Sequence, residues 1–456
     1  MEKIAVYIMI ISILLSGCQS KELLSEKSPV TINLWHNYGS LMKDTMDILI
    51  DEFNETVGKE KGIIINVTSI TGTATINEKL KMAVNDEPGA PELPDITTLY
   101  PNTALLLADH GLLVDIESHF SKEELSLFIP EFVEEGRLPD GKLYVLPIGK
   151  STEVMFLNNT IFNRFMKDSN VSYNDLHTFE GILDIAEKYY KWTDDQTPSV
   201  ENDGKAFINY DSVFNMAQTI FKQTNEKLIV DGNINLSSYA FEDVWSNYFK
   251  PAVKGYISVY DGYGSDLIKT GNVVANIGST AGVLFYSDIV TYEDNTTEPA
   301  EVLVLPYPVI DKGKRIAIQR GGGMCIIKSN EVKEYAAGIF LKWFTAPKQN
   351  LKFVSSTGYL PVTQKAVEMT DDNGIEMDDR MRNLQNTAKE MAEKYTFYYT
   401  PVIDNFDELE DSLADNLKGY TILLRNEYLN LLNDMNVTDA FNKVTENKYE
   451  EFIKQR

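Results

Sequence analysis

Six segments between residues 30 and 111 switch in turn between the two hydrophobic periods open to a folded chain, and nothing else restricts the fold as far. Val30 to Trp35 alternates as a strand, Met42 to Phe53 repeats at helical spacing, and Ile63 to Val67 is β-branched. Ile76 to Val84 then reads as helix, Pro94 to Leu99 as a short buried strand, and Thr103 to His110 as a helix stopped by Gly111. Strand, helix and strand in that order predict parallel pairing with helices on both faces and a ligand crevice beyond the carboxyl ends of the strands. Trp35 to Tyr38 and Tyr100 stand at two of those ends.

The remaining sequence is too long for one small core: 456 residues predict two packed units. Lys142 to Pro147 and Glu153 to Leu157 are extended runs separated by Ile148 to Thr152, and Phe162 to Lys250 is mostly helical in pattern. Extended character returns at Val273 to Ile277, Glu301 to Pro306 and Ile316 to Gln319. Ala336 to Phe344 reads as an amphipathic helix stopped at Pro347. Phe406, Leu409, Leu413, Leu417, Leu424 and Leu431 recur at intervals that give a long C-terminal helix one buried face.

A formal charge of -26 repels nucleic acid and anionic lipid headgroups, so a nucleic-acid partner is excluded from the expectations. Two cysteines, Cys18 and Cys325, are too few for a disulfide scaffold or a thiolate zinc site. The first of them ends a leader. Lys3 precedes an apolar run from Ala5 to Leu15, which as a helix spans about 16 Å against a hydrocarbon core of about 30 Å. That is signal-peptide architecture, and Leu15-Ser16-Gly17-Cys18 resembles the bacterial lipobox, in which the cysteine becomes a lipidated N-terminus. The expectation is a signal peptide over 1–17, a polar tether over 18–29, and an extracytoplasmic protein held to the membrane through Cys18. Cys325 is then a buried small apolar residue.

Several motifs fail on context. Gly149-Lys150-Ser151-Thr152 copies the tail of a phosphate-binding loop, but Tyr144 stands where the pattern needs Gly, Pro147 removes an amide donor, and a strand follows where a helix is required. The glycines at 321–323 and in Gly278-Ser279-Thr280-Ala281-Gly282 lack dinucleotide spacing. His36, His110, His119 and His177 form no metal-ligand pattern and read as surface or capping residues, and Asp371-Asp372-Asn373-Gly374 as a solvated turn. No cofactor or metal is expected, and no pair of carboxylates is nominated for glycoside hydrolysis, which leaves a secreted glycosidase as a distant alternative.

A set of ordered segments carries a resemblance. They are Thr31-Ile32-Asn33-Leu34-Trp35-His36, Pro94-Asp95-Ile96, Gly141 to Pro147 leading into Lys150 to Asn158, Gly278 to Gly282, Phe340 to Phe344, and Thr357-Gly358-Tyr359-Leu360-Pro361-Val362. In this order they resemble the extracellular solute-binding proteins of ABC importers, the large carbohydrate-type group related to maltose-binding and glycerol-3-phosphate-binding proteins. The resemblance implies a two-lobed α/β fold of the type II periplasmic-binding-protein kind. Each lobe would be a parallel-rich sheet flanked by helices, and three hinge crossings would fall near 150, 275 and 325. The implied N-terminal lobe comprises 30–150 and 276–325, and the C-terminal lobe 151–275 and 326–456. The implied function is capture of a carbohydrate between the lobes and its delivery, by a monomer, to the transmembrane subunits of a permease, with no enzymatic step.

Sugars need rings for their C–H faces and paired donors and acceptors for their hydroxyls. Trp35, Tyr38, Tyr100 and Tyr359 can supply rings; Trp35 reads equally as a core residue and Tyr100 as a turn residue. The resemblance puts Tyr359 at the cleft and Ser151 and Thr152 at the first crossing as hydrogen-bonding residues. Glu153 is an acceptor for hydroxyls or a backbone cap. Ser279 and Thr280 bind ligand or satisfy local backbone, and Gly322 brings an amide to the ligand or serves the hinge. Trp245 and Trp343 read as core. The glycerol-phosphate relatives carry an arginine-containing segment near the C-terminus, whereas Tyr395 to Thr400 here has none, so a neutral sugar is preferred and a polyol phosphate is the alternative.

Overall fold

The computed structural model describes residues 23–370, 377–403 and 405–454. The leader, Cys18 and the acidic turn at Asp371 to Gly374 lie outside the described residues.

The alternating segments fold as their periods predict. They give β1 (Val30–His36), α1 (Ser40–Phe53), β2 (Ile63–Ser69), α2 (Thr73–Val84), β3 (Ile96–Leu99) and α3 (Pro101–Asp109). β1 lies between β2 and β3 and pairs in parallel with both. Because a strand turns alternate side chains to opposite faces, Ile32 and Leu34 enter a core with Phe53 and Phe340, and Trp35 enters a second core with Ile76, Leu80 and Leu107. Each large apolar side chain so buried contributes about 1.5–3 kcal/mol. Pro101 starts α3, where its missing N–H has no intrahelical partner to lose.

After α4 (Pro130–Glu134) and β4 (Leu146–Pro147), the chain enters β5 (Ser151–Asn158), a strand buried along its whole length. The helical stretch that follows includes α5 (Asn159–Asp168), α6 (Phe179–Asp194) and, beyond β6 (Ile208–Tyr210), α7 (Val213–Gln223). Strands resume as β7 (Ala275–Ser279), β8 (Val302–Leu305), β9 (Ile316–Arg320) and β10 (Gly323–Ile326). Helices α8 (Glu331–Phe344), α9 (Pro347–Ser355), α10 (Gln364–Met369) and α11 (Asp379–Lys394) precede β11 (Thr396–Tyr398) and the 26-residue α12 (Phe406–Leu431).

Two sheets organise these elements, one per lobe. The first runs β2-β1-β3-β10-β4; the second runs β11-β9-β5-β7-β6, with β8 also on β5. Both are mixed, and the second departs furthest from the parallel-rich expectation, since β5 pairs antiparallel with β7, β8 and β9. These three strands run back beside β5 in the opposite direction, and antiparallel pairing requires no crossover connection. Phe156, Phe162, Phe207, Phe214 and Tyr248 centre the second core. Trp245 joins it, stacked on Phe249, and Trp343 packs edge-on against Phe53 in the first lobe.

The late segments are distributed differently from the expected boundaries. Residues 276–320 belong to the second lobe, because β7, β8 and β9 hydrogen-bond to β5. Residues 323–369 belong to the first, because β10 inserts between β3 and β4, Phe340, Phe344 and Phe353 complete its core, and Thr363 bridges to Phe128. The chain therefore crosses between lobes at 150–151, at 321–322 and between α10 and α11, with no crossing at 275. The first two crossings run side by side. Gly321 takes φ +103°, open to glycine, and a Cβ on Gly322 would stand 2.8 Å from the Leu99 carbonyl oxygen.

Candidate functional site

The two lobes face each other across a cleft with two chambers. The first has a volume of about 340 Å3. The first lobe contributes Thr73 and Asn77 of α2, the Tyr100–Thr103 stretch at the start of α3, and Glu135; the second contributes Arg320, Thr400 and the opening turns of α12, including Phe406 and Glu410. Tyr100 arrives there because β3 ends at Leu99 and Pro101 starts a helix at once, leaving Tyr100 at the carboxyl end of the sheet, where the alternating pattern predicts a crevice.

Arg320 organises this chamber. It is the last residue of β9, opposite Ser151 across the ladder, and its guanidinium carbon lies 5.9 Å from the centre of the Tyr100 ring on the other lobe. Among the described residues Arg320 makes no ion pair and no hydrogen bond, so its fork of donors faces the cleft. Its charge opposes the effect of burial on three neighbours. Burial pushes up the Tyr100 hydroxyl, the Glu410 carboxyl and the Glu153 carboxyl, the last to about 7, and in each case Arg320 favours the ionised form. Glu153 is 4% exposed and accepts a hydrogen bond from Asn215 Nδ2 at 2.7 Å.

Glu135 at the chamber wall is held by a buried cation. Lys150 Nζ donates to it at 2.8 Å and to the Gly321 carbonyl at 2.8 Å, and Gln319 Nε2 donates to the same carboxylate. The lysine of the failed phosphate-loop motif is thus a hinge residue.

The second chamber, about 360 Å3, is lined by Met42 from the first lobe and by Asp211, Tyr263, Ser279, Ala281 and Phe285 among others from the second. Asp211 accepts the Gly264 N–H at 2.8 Å, and burial raises its pKa. Tyr263 and Phe285 stand at the mouth, 73% and 51% exposed. The two chambers flank one stretch of β5: Arg320 of the first stands opposite Ser151, and Ser279 of the second stands opposite Glu153.

Of the residues singled out in the sequence, Tyr100 lines the first chamber, Ser279 the second, and Glu153 lies between them. Ser151 and Thr152 are buried in the strand at the first crossing, and the Thr152 hydroxyl donates to the Ile318 carbonyl at 2.8 Å. Trp35 lies in the core under the sheet instead of offering a ring to the cleft, because its position in the alternation turns it onto α2 and α3. Tyr38 and Tyr359 line neither chamber; both rings pack on Phe353, at 5.5 and 6.0 Å between centres. The Thr280 side chain is fully buried, and Gly322 is held against Leu99. The histidines also divide: His36, expected at the surface, is fully buried, its Nδ1 accepting the Tyr38 N–H at 3.2 Å and burial lowering its pKa to about 4.

Sequence reasoning missed Arg320, Glu410, Asp211, Tyr263 and Phe285. Arg320 carried a signal, a charged residue ending a strand immediately before three consecutive glycines. The others come from loops and a helix end that only the tertiary fold brings together.

The family described as bacterial extracellular solute-binding protein matches residues 49–383. No curated protein matches the sequence. Among solved structures, the chain is similar to the cyclic alpha-maltosyl-1,6-maltose binding protein from Arthrobacter globiformis, at 16% identity and TM-score 0.66, covering 94% of this chain and 100% of that one. An ABC substrate-binding protein from Listeria monocytogenes in complex with cycloalternan has the same identity and TM-score over 94% and 99% of the two chains. UgpB from Mycobacterium tuberculosis, in complex with glycerophosphocholine, is 13% identical with a TM-score of 0.65 over 94% and 99%. At these identities the similarity establishes the two-lobed fold.

Proposed function

We propose that this chain, which belongs to the bacterial extracellular solute-binding protein family, captures a carbohydrate between its lobes and delivers it unaltered to an ABC permease. The observation that carries the reading is the Tyr100 ring facing the Arg320 guanidinium across the cleft, with Glu153 and Glu410 in electrostatic reach. A ring packs on the C–H face of a pyranose, while guanidinium donors and carboxylate acceptors pair with its hydroxyls. Two of the similar structures hold or are named for oligosaccharides, which supports the same reading.

Contacts to Tyr100 and Arg320 together require both lobes. A ligand touching both favours the closed arrangement by the difference in its affinity for the two states, and a permease that recognises the closed form then receives only loaded receptor. The family is extracellular, and no described helix is long and apolar enough to cross a membrane. In the proposed reading the monomer is tethered through a lipid on Cys18, which lets it reach the permease without diffusing away.

A second reading, a polyol-phosphate receptor, is favoured by the cation in the cleft that the sequence did not single out. Arg320 suits a phosphate, but Asp407, Glu410 and Asp411 share its chamber and oppose an anion. A thermal-shift panel of sugars, polyols and polyol phosphates decides between them. A ligand at 100 times its Kd stabilises the fold by about 2.7 kcal/mol. Recovery of the sugar intact is expected; cleaved product would replace a receptor by a glycosidase.

A further inference from the structure

A cavity of about 600 Å3, larger than either chamber of the cleft, lies at the far end of the second lobe. β5 places it there: the strand leaves the crossing at Ser151 and, at about 3.3 Å per residue, delivers Asn158 and the start of α5 roughly 23 Å away. Arg164 and Asp168 of α5 form one wall, Tyr189 and Trp192 near the end of α6 another, and Lys205 and Tyr292 complete it.

Two donors on these walls remain available to a ligand. Tyr189 is 2% exposed, its ring packed on Phe165, Trp192 and Phe207, and its hydroxyl makes no hydrogen bond among the described residues. The hydroxyl lies within electrostatic reach of Arg164 and Tyr292, which puts it on the cavity side of the ring. A buried hydroxyl without a partner has given up its hydrogen bonds to water, and a bound acceptor restores one. The second donor is Lys205. Its Nζ reaches the Gly271 carbonyl at 3.3 Å and lies 6.0 Å from the centre of the Tyr292 ring, with no ion pair among the described residues.

The other charged groups are engaged. Arg164 pairs with Glu298 at 2.8 Å, Asp168 accepts the Trp192 indole N–H at 3.1 Å, and Asp203 accepts the Thr197 hydroxyl at 2.6 Å. An ammonium and a phenol hydroxyl together match a carboxylate, and the half-buried Trp192 ring matches a flat apolar face. The charge balance also differs from that of the cleft. Here Arg164 and Lys205 stand against Asp168 and Asp203, whereas in the first chamber Arg320 faces Asp407, Glu410 and Asp411.

We propose that this cavity is a second binding site, separate from the cleft, for a small ring-bearing carboxylate: Lys205 and the Tyr189 hydroxyl hold the carboxylate, and Trp192 carries the ring. The proposal does not depend on which solute the cleft takes. An aromatic acid and a uronic acid share this chemistry.

Calorimetric titration of the full mature chain with indole-3-acetate and with glucuronate, each beside its uncharged counterpart indole-3-acetamide or glucose, tests it and separates the two sources. At least one acid is expected to bind, with affinity lowered at least tenfold by Lys205→Met and at least threefold by Tyr189→Phe. Neither variant changes the affinity of an uncharged counterpart by more than twofold, and Arg320→Ala leaves acid affinity within twofold. Lys205 is exposed and Tyr189→Phe keeps the packed ring, and unchanged melting temperatures verify that both variants fold. Failure of both acids to bind overturns the proposal, as does acid affinity that survives Lys205→Met. Acid affinity lost with Arg320→Ala places the ligand in the cleft and overturns it equally. A counterpart as sensitive to Lys205→Met as its acid overturns the assignment of a carboxylate.

Discussion

Lys150 Nζ stands 2.8 Å from Glu135 Oε2 and the same distance from the Gly321 carbonyl oxygen, so one buried ammonium joins the first lobe to both neighbouring crossings. Both side chains are nearly inaccessible to solvent, at 3% and 6%. Such a pair repays its desolvation only while it is complete.

Removing one partner therefore costs more than the pair itself contributes. Glu135→Gln is expected to lose about 3–5 kcal/mol of unfolding free energy in urea titration, because it strands the ammonium in a low dielectric. The double variant Lys150→Met, Glu135→Leu should lose clearly less than the two single losses added. Simple additivity would mean that the two groups do not depend on each other.

Glu153 gives the fold a pH dependence of defined sign. Its carboxyl is raised by burial from 4.5 to about 7, so in that interval the folded chain holds a proton that the unfolded chain has released. Its contribution to stability falls as pH rises from about 4.5 to about 7 and is constant above. Glu153→Gln keeps an acceptor for Asn215 and removes the charge. The variant should exceed the parent by up to about 3 kcal/mol near pH 8, and the gap should close below pH 4.5. Melting curves across this range check it, and a gap that widens on acidification would reverse the assignment.

Arg320→Ala is expected to weaken the ligand found in the panel at least tenfold, or about 1.4 kcal/mol; because Arg320 also favours the ionised forms of Glu153 and Glu410, the comparison is made at a temperature where melting curves show the variant folded. Arg320→Lys keeps the charge but not the planar fork or its face toward Tyr100, and should fall between. Equal affinity for parent and Arg320→Ala would take the centre of the site elsewhere.

The elements were legible where period and burial agree. The alternation of Ile32 and Leu34 and the recurrence of Leu413, Leu417 and Leu424 each encode a face locally, and the strand and long helix follow. The allocation of strands to lobes was not legible, because the pairing of β7 with β5 and of β10 with β3 and β4 joins residues more than a hundred positions apart and leaves no trace in local spacing. The same holds for the site. Tyr100 was visible as a strand-end residue, whereas Glu410 looks like any acidic residue in the first turns of a helix, where negative charge is favoured by the helix dipole in any case. Trp35 and Tyr359 show the converse: a large ring at a suggestive position is still claimed by whichever core its backbone turns it toward.

The insertion of β10 between β3 and β4 has a consequence for how the protein is made. Residues 30–147 contain four strands of the first sheet, yet the interior position beside β3 stays vacant until Gly323–Ile326 has been delivered. A chain emerging N-terminus first thus presents an open strand edge while most of the second lobe is still being synthesised or exported. Such distant pairing slows folding and leaves that edge free to join other chains. Truncation before residue 323 is therefore expected to yield aggregate rather than a folded first lobe.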